Sequence, residues 1–192
     1  MPFDLQGTLR RLKPHKRLER LTRRADAELA WASDQPLIGS PLILDTCVYL
    51  DVLQGRTPEA VDELLTYRVC HHSAVCLAEL THVFGRLDPV HPSTSRVLQT
   101  IRGVIEDIPR HRLHAPDTAI WGEAGMLAGE LFRLGGAPKG AGQERKYLND
   151  ALIYLQARGI GASVLTGNVG DFDFLNQLDP GAPIILYRRR SG

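Results

Sequence analysis

PLILDTCVYLDVL, residues 41–53, decides how the chain is read. A short apolar run over 41–45 ends on the carboxylate of Asp45. Apolar side chains at Val48, Leu50 and Leu53 come next, at helical spacing. A brief apolar run of this kind fits a strand buried on both faces, and the segment after Asp45 reads as a helix. The same pattern recurs outward from it. Residues 69–73 form a second short strand candidate, 111–114 a third, and ASVLT (162–166) and PIILY (183–187) the last two. Between them lie helical segments. Thr57 and Pro58 start one over 58–66, and 74–85 is a helix closed by Gly85. A further helix covers 95–107. In 117–134, Ile120, Trp121, Ala124, Leu127, Ala128, Leu131 and Leu134 recur at three and four, which marks Trp121, like Trp31, as core. Gly135 to Gly142 reads as a loop, and Asp150 starts one more helix. Alternating strands and helices predict an α/β domain over 41–187, with a mainly parallel sheet covered on both faces.

Bulk properties agree with a single domain plus an arm. The 192 residues are 43% hydrophobic, and no apolar run is long enough to span a membrane. The N-terminus lacks a signal-peptide core, so the protein is expected in the cytoplasm. Three cysteines, with no C-x-x-C pair, argue against disulfides and zinc, and are read as small core side chains. The net charge of +1 conceals an asymmetry. Residues 1–24 carry a balance of +6 and Arg188–Arg190 add +3, while 25–187 carry −8. Basic ends favour polyanions such as RNA, or serve as a pad for an acidic partner. Residues 1–38 read as a basic helical arm, one helix or a pair broken near Pro14. Such an arm binds RNA, braces the domain or covers the site.

In open parallel sheets, sites form beyond the carboxyl ends of the strands. Asp45 ends the first strand, and Asp171 comes shortly after 162–166. Asp150 stands at an expected helix start, where the dipole favours an anion. Glu79 lies inside an apolar helix, where a carboxylate is costly unless paired or metal-bound. Each alone has a bland alternative as a cap or a surface side chain. Together they are a set of hard oxygen donors suited to Mg²⁺ or Mn²⁺. Glu79-x-x-His82 has no second copy, so it does not make a di-iron site. GAPKGAGQERK (136–146) lacks the phosphate-loop pattern and reads as a flexible loop over the site.

Four segments, in order, carry a resemblance to the PIN-domain family, and more closely to the VapC-type toxins of bacterial toxin–antitoxin pairs. They are LILDTCVYLD (42–51), HSAVCLAELTHVF (72–84), NDALIYLQARGIGASVLTGN (149–168) and TGNVGDFDFL (166–175). PDTAIWGEAGMLAGEL (116–131) resembles the helix between the family's second and third acids. The resemblance runs from about residue 41 to 187 and leaves the N-terminal 38 residues outside. It implies a three-layer α/β/α fold and metal-dependent hydrolysis of single-stranded RNA, with Mg²⁺ or Mn²⁺ as cofactor. It places Asp45, Glu79 and Asp150 on the family's three acidic positions. Asp171 is preferred as the fourth, with Asn168 and Asp173 as alternatives. Thr46, Ser73 and Thr166 match hydroxyl positions that help hold the acids, and Asn168 a neutral ligand or substrate contact. By their place just before Asp150, Arg145 and Lys146 read as contacts to substrate phosphate or as solvated side chains. The resemblance also implies an antitoxin partner and a homodimer. A catalytically inactive PIN-like module that binds RNA or protein is the alternative reading. A phosphoacceptor of response-regulator type lacks its acidic pair and late lysine here.

Overall fold

The structure is a computed structural model, and it describes residues 3–136 and 142–190. Five parallel strands form the sheet: β1 (Leu42–Leu44), β2 (Cys70–Ser73), β3 (Leu113–His114), β4 (Ser163–Thr166) and β5 (Ile184–Leu186), in the order β3-β2-β1-β4-β5. β1 and β4 are buried throughout, as expected for central parallel strands covered on both faces. Register sets the site: Leu42, Ile43 and Leu44 stand opposite Ser163, Val164 and Leu165. Asp45 therefore leaves the sheet beside Thr166.

The helices are α1 (Leu5–Leu12), α2 (Thr46–Leu53), α3 (Glu59–Tyr67), α4 (Ala74–Arg86), α5 (Thr94–Glu106), α6 (Thr118–Leu134), α7 (Gln143–Ile160) and α8 (Val169–Leu178). α6, α7 and α8 pack together, with α7 against β1 and β4. Leu44, Val48, Tyr49, Leu65, His72 and Val104 line a small cavity where α2, α3 and α5 meet β1 and β2. The architecture is the expected three-layer α/β fold. Among the described residues no helix is long and apolar enough to cross a membrane.

Several local expectations need correction. α4 continues through Gly85 to Arg86, and the Leu87 N–H closes it by donating to the Val83 carbonyl. Thr57 does not cap α3; its hydroxyl donates to the Asp62 carboxylate at 2.6 Å, and Pro58 takes the N-cap position. The third strand shrinks to two residues behind a 3₁₀ turn at Arg110–Arg112. Most consequentially, α7 starts at Gln143, after Gly142 in the left-handed region (φ 88°). Asp150 is thus two turns inside a helix and gains nothing from its N-terminal dipole. Residues 137–141 of the expected loop 136–146 lie outside the described residues.

The arm is helical only over Leu5–Leu12. Beyond it come 3₁₀ turns and extended backbone, because Pro14 stops the helix and tertiary ion pairs replace helical contacts. Arg11 binds Glu123 and Asp179, each at 2.6 Å, and Arg17 reaches Glu130. The Arg24 side chain pairs with buried Asp173 at 2.5 Å, while its backbone N–H donates to the same carboxylate at 2.9 Å. Arg133 returns the contact through the Arg17 and Pro14 carbonyls. Leu12 is buried in the core, and the Phe3 ring lies where a Cβ on Gly122 would stand. Trp31 bridges to Leu186 on the edge strand β5. Arg11, Arg17 and Arg24, three of the eight basic residues in 1–24, are therefore committed to the acidic body.

Asp173 is fully buried with Arg24 as its cation, so Arg24→Ala should destabilise the fold by about 2–3 kcal/mol, the part exposure of the arginine discounting the usual cost of orphaning a buried charge. Chemical denaturation should show this loss for Arg24→Ala and a smaller one for Arg24→Ala with Asp173→Asn. Equal stability of Arg24→Ala and the parent would show that the pair does not brace the arm.

Candidate active site

A cleft of about 1300 Å³ opens above the carboxyl ends of the strands. Its lining includes Asp45, Glu79 and Asp150, together with Thr46, Cys47, Asn149, Asn168, Arg145 and Lys146. Asp45 comes from the β1–α2 junction. Its backbone N–H donates to the Leu165 carbonyl at 3.1 Å, which ties its height to β4. Its carboxylate accepts from the Thr46 N–H at 2.7 Å, the Thr166 hydroxyl at 2.6 Å and the Cys47 thiol at 3.0 Å. Glu79 comes from α4 and accepts from the Thr46 hydroxyl and from Asn149 Nδ2, the latter at 2.7 Å. Asn168 Nδ2 donates to Asp150 at 3.1 Å and to Asp171 at 3.0 Å. Lys146 pairs with Asp171.

Of the three candidates for the fourth position, Asp171 and Asn168 stand beside Asp150 and Asp173 does not. Asp171 joins Asp150 through Asn168. Asp173, two residues on, faces the arm and is engaged by Arg24 and Gln177. Ser73 does not meet an acidic side chain: it caps α4 through the Val75 N–H at 3.0 Å and donates to Gln156, which itself donates to the His114 carbonyl. Thr46 and Thr166 do touch acids. Thr166 also accepts the Asn168 N–H at 2.9 Å, linking both carboxylate groupings.

Burial governs the electrostatics. Asp45 and Asp150 retain 5% and 6% of their exposure. Burial, and next the charge of Asp45, push the Asp150 carboxyl well above its ordinary value of 3.8, while Lys146 pulls the other way. Burial also raises Asp45, against the hydrogen bonds it accepts from Thr166, Cys47 and Thr46. Cys47 is pushed up to about 12 by burial and by the neighbouring Asp45 charge, so it stays a thiol and donates. It is half-buried in this polar cluster, unlike the core cysteine expected; Cys76 is the buried one. His71 and His72 stand in β2 away from the acids. His71 bonds His114 at 3.0 Å, and His72 bonds the Tyr49 hydroxyl at 2.7 Å. Among the described residues, no three His, Cys, Asp or Glu side chains are disposed to hold a metal ion as they stand.

Sequence reading missed several contributors. Asn149 orients Glu79; its signal was the i, i+3, i+4 face Lys146-Asn149-Asp150, visible only once α7 is known to begin at Gln143. Cys47 was hidden by its apolar neighbours. Arg23 from the arm and Arg188–Arg189 from the tail also line the cleft. The tail is fixed there: the Arg188 guanidinium lies 5.1 Å over Trp31, and Arg189 and the Tyr187 hydroxyl bind buried Asp51. Trp121, expected in the core, is 50% exposed and lines the cleft too.

The sequence matches no protein-family model and no curated protein. The structure is similar to VapBC2 from Rickettsia felis, solved bound to a DNA fragment from their promoter, with a TM-score of 0.51 and 16% identity over 76% of this chain and 98% of that one. It is similar to FitAcB from Neisseria gonorrhoeae with a TM-score of 0.53 and 18% identity, over 75% of this chain and 96% of that one. At such identities the likeness establishes the fold. About a quarter of this chain has no counterpart in either.

A raised carboxyl holds its proton to higher pH when folded than when unfolded. The fold is then stabilised below the ordinary pKa and loses that advantage as pH rises towards the raised value. In the absence of divalent ions, Asp150→Asn should therefore melt above the parent at neutral pH, with the gap closing as pH falls towards about 4. A variant that melts below the parent at every pH would contradict the repulsive cluster.

Proposed function

We propose that this chain is an endoribonuclease that hydrolyses phosphodiester bonds of RNA with Mg²⁺ or Mn²⁺, and is the toxin of a toxin–antitoxin pair. The observation that carries the reading is the convergence of Asp45, Glu79 and Asp150 on one cleft, with Asp171 joined to them through Asn168. A strand end and three helices supply these acids, and two of them are buried and mutually repelling. The resemblance of segments 42–51, 72–84, 149–168 and 166–175 to VapC-type toxins and the fold shared with VapBC2 and FitAcB support the same class.

The donor set fits a hard divalent cation, whose charge would relieve the repulsion between Asp45 and Asp150. Those two are assigned as direct ligands, with Glu79 and Asp171 acting through water or on a second ion. When bound, the ion supplies Lewis acidity and lowers the pKa of a water molecule. The chain's own groups prepare the site. Thr166 and Cys47 fix the Asp45 carboxylate, Thr46 and Asn149 fix Glu79, and Asn168 spans Asp150 and Asp171. Arg145 makes no ion pair among the described residues and is assigned to substrate phosphate, with Lys146 beside it. An antitoxin partner, homodimerisation and a cytoplasmic location belong to the same proposal, as does a division into an arm (1–38) and a PIN-like domain (41–187).

Purified protein with Mg²⁺ or Mn²⁺ should cleave RNA, EDTA should stop it, and Asp45→Asn with Asp150→Asn should lower the rate by at least about 100-fold. Equal cleavage by parent and double variant would refute the assignment. RNA bound but never cut would favour the inactive binding module.

A further inference from the structure

The strand order turns the cleft into a track. Past β5 lie Arg188 and Arg189, past β4 and β1 lie the acids, and past β3 lie Pro116 and the first turn of α6 with Trp121. Neighbouring strands are about 4.8 Å apart, so the β3 side stands roughly 10 Å from Asp45. α4 runs along that side. Glu79 sits by the acids, and Arg86, two turns on, stands about 10 Å further along the helix. Arg86 lines the cleft and makes no ion pair among the described residues.

Trp121 is the anomaly on this side. The other tryptophan is used: the Trp31 indole N–H donates to the Asp26 carbonyl at 2.8 Å, and Arg188 covers its face. The Trp121 indole makes no hydrogen bond or ring contact among the described residues, and half its surface faces water inside the cleft. Val83 and Pro116 line the same wall, with His82 and Arg86. One indole among cations, in a concavity continuous with the acids, suits a planar base on a phosphate backbone. A protein partner wants a broader apolar face.

On the ribonuclease reading above, we propose that Trp121 is the stacking platform for an unpaired RNA base flanking the cleaved position, with Arg86 contacting the adjoining phosphate. The tract past β3 then reads the base, while Arg188 and Arg189, held by Asp26 and Asp51, form the opposite wall of the cleft. Single-stranded RNA is already what the resemblance implies; the platform adds a modest preference for strongly stacking purines at one flanking position.

The test uses full-length protein and uncleavable 2′-O-methyl oligoadenosine, with an abasic oligomer of equal length as control. In a Trp31→Phe background, oligoadenosine should quench the Trp121 emission and the abasic oligomer should not. Trp121→Ala should weaken oligoadenosine binding roughly 5- to 100-fold and leave abasic binding unchanged, and Trp121→Phe should restore most of the affinity. Circular dichroism checks that each variant is folded. If oligoadenosine binds parent and Trp121→Ala alike, the platform is refuted while the ribonuclease reading stands. If Trp121→Ala instead abolishes self-association with RNA binding unchanged, the face is a protein interface and the proposal fails. If the parent binds neither oligomer, the platform is refuted, and the ribonuclease reading rests on the cleavage test above.

Discussion

Asp45 is fastened twice to the strand beside it, by its backbone N–H to the Leu165 carbonyl and by its carboxylate to the Thr166 hydroxyl. Both contacts depend on the parallel register of β1 on β4. A slip of one residue would turn Leu42–Leu44 over and carry Asp45 off the floor of the cleft. The same Thr166 hydroxyl accepts the Asn168 N–H, and the Asn168 side chain joins Asp150 to Asp171. The pairing of two short apolar strands thus sets the positions of three of the four acids. Glu79 is joined from across β2 by the Thr46 hydroxyl.

The cost of this arrangement is electrostatic. Among the described residues the two nearly buried carboxylates Asp45 and Asp150 make no ion pair and oppose folding, and Lys146 relieves only part of the repulsion. Elsewhere the acidic body is neutralised from within. The arm places Arg11, Arg17 and Arg24 on Asp179, Glu123, Glu130 and Asp173 across α6 and α8, and the tail places Arg189 on Asp51. Charge that looked free to meet RNA is in good part committed to these contacts. The cations that do reach the cleft are Arg23 and the tail at one side, Arg86 on α4, and Arg145 and Lys146 on α7.

The strands were legible because buried parallel strands are short unbroken apolar runs, and Asp45 was legible because it ends one. Asp150 was recognised as an acid of interest but misplaced. The segment QERKYLN has too few apolar residues to announce a helix, so the start of α7 was set seven residues late. Asn149 was lost with it. In the arm, leucines among charges suggested more helix than forms, since periodicity does not reveal long-range ion pairs to residues over 100 positions away. Trp121 shared the spacing of the α6 core residues yet lies at the edge of their stripe. Only the packing of α6 against α7 shows that it opens into the cleft.

Whether the clustered carboxylates form one divalent-cation site is tested most directly by Mn²⁺ binding, measured by electron paramagnetic resonance in the absence of RNA. Saturable binding by the parent that is lost in Asp45→Asn and in Asp150→Asn, and retained in Asp173→Asn, is the predicted result. No saturable binding, or equal binding by the parent and the Asp45→Asn variant, would contradict it.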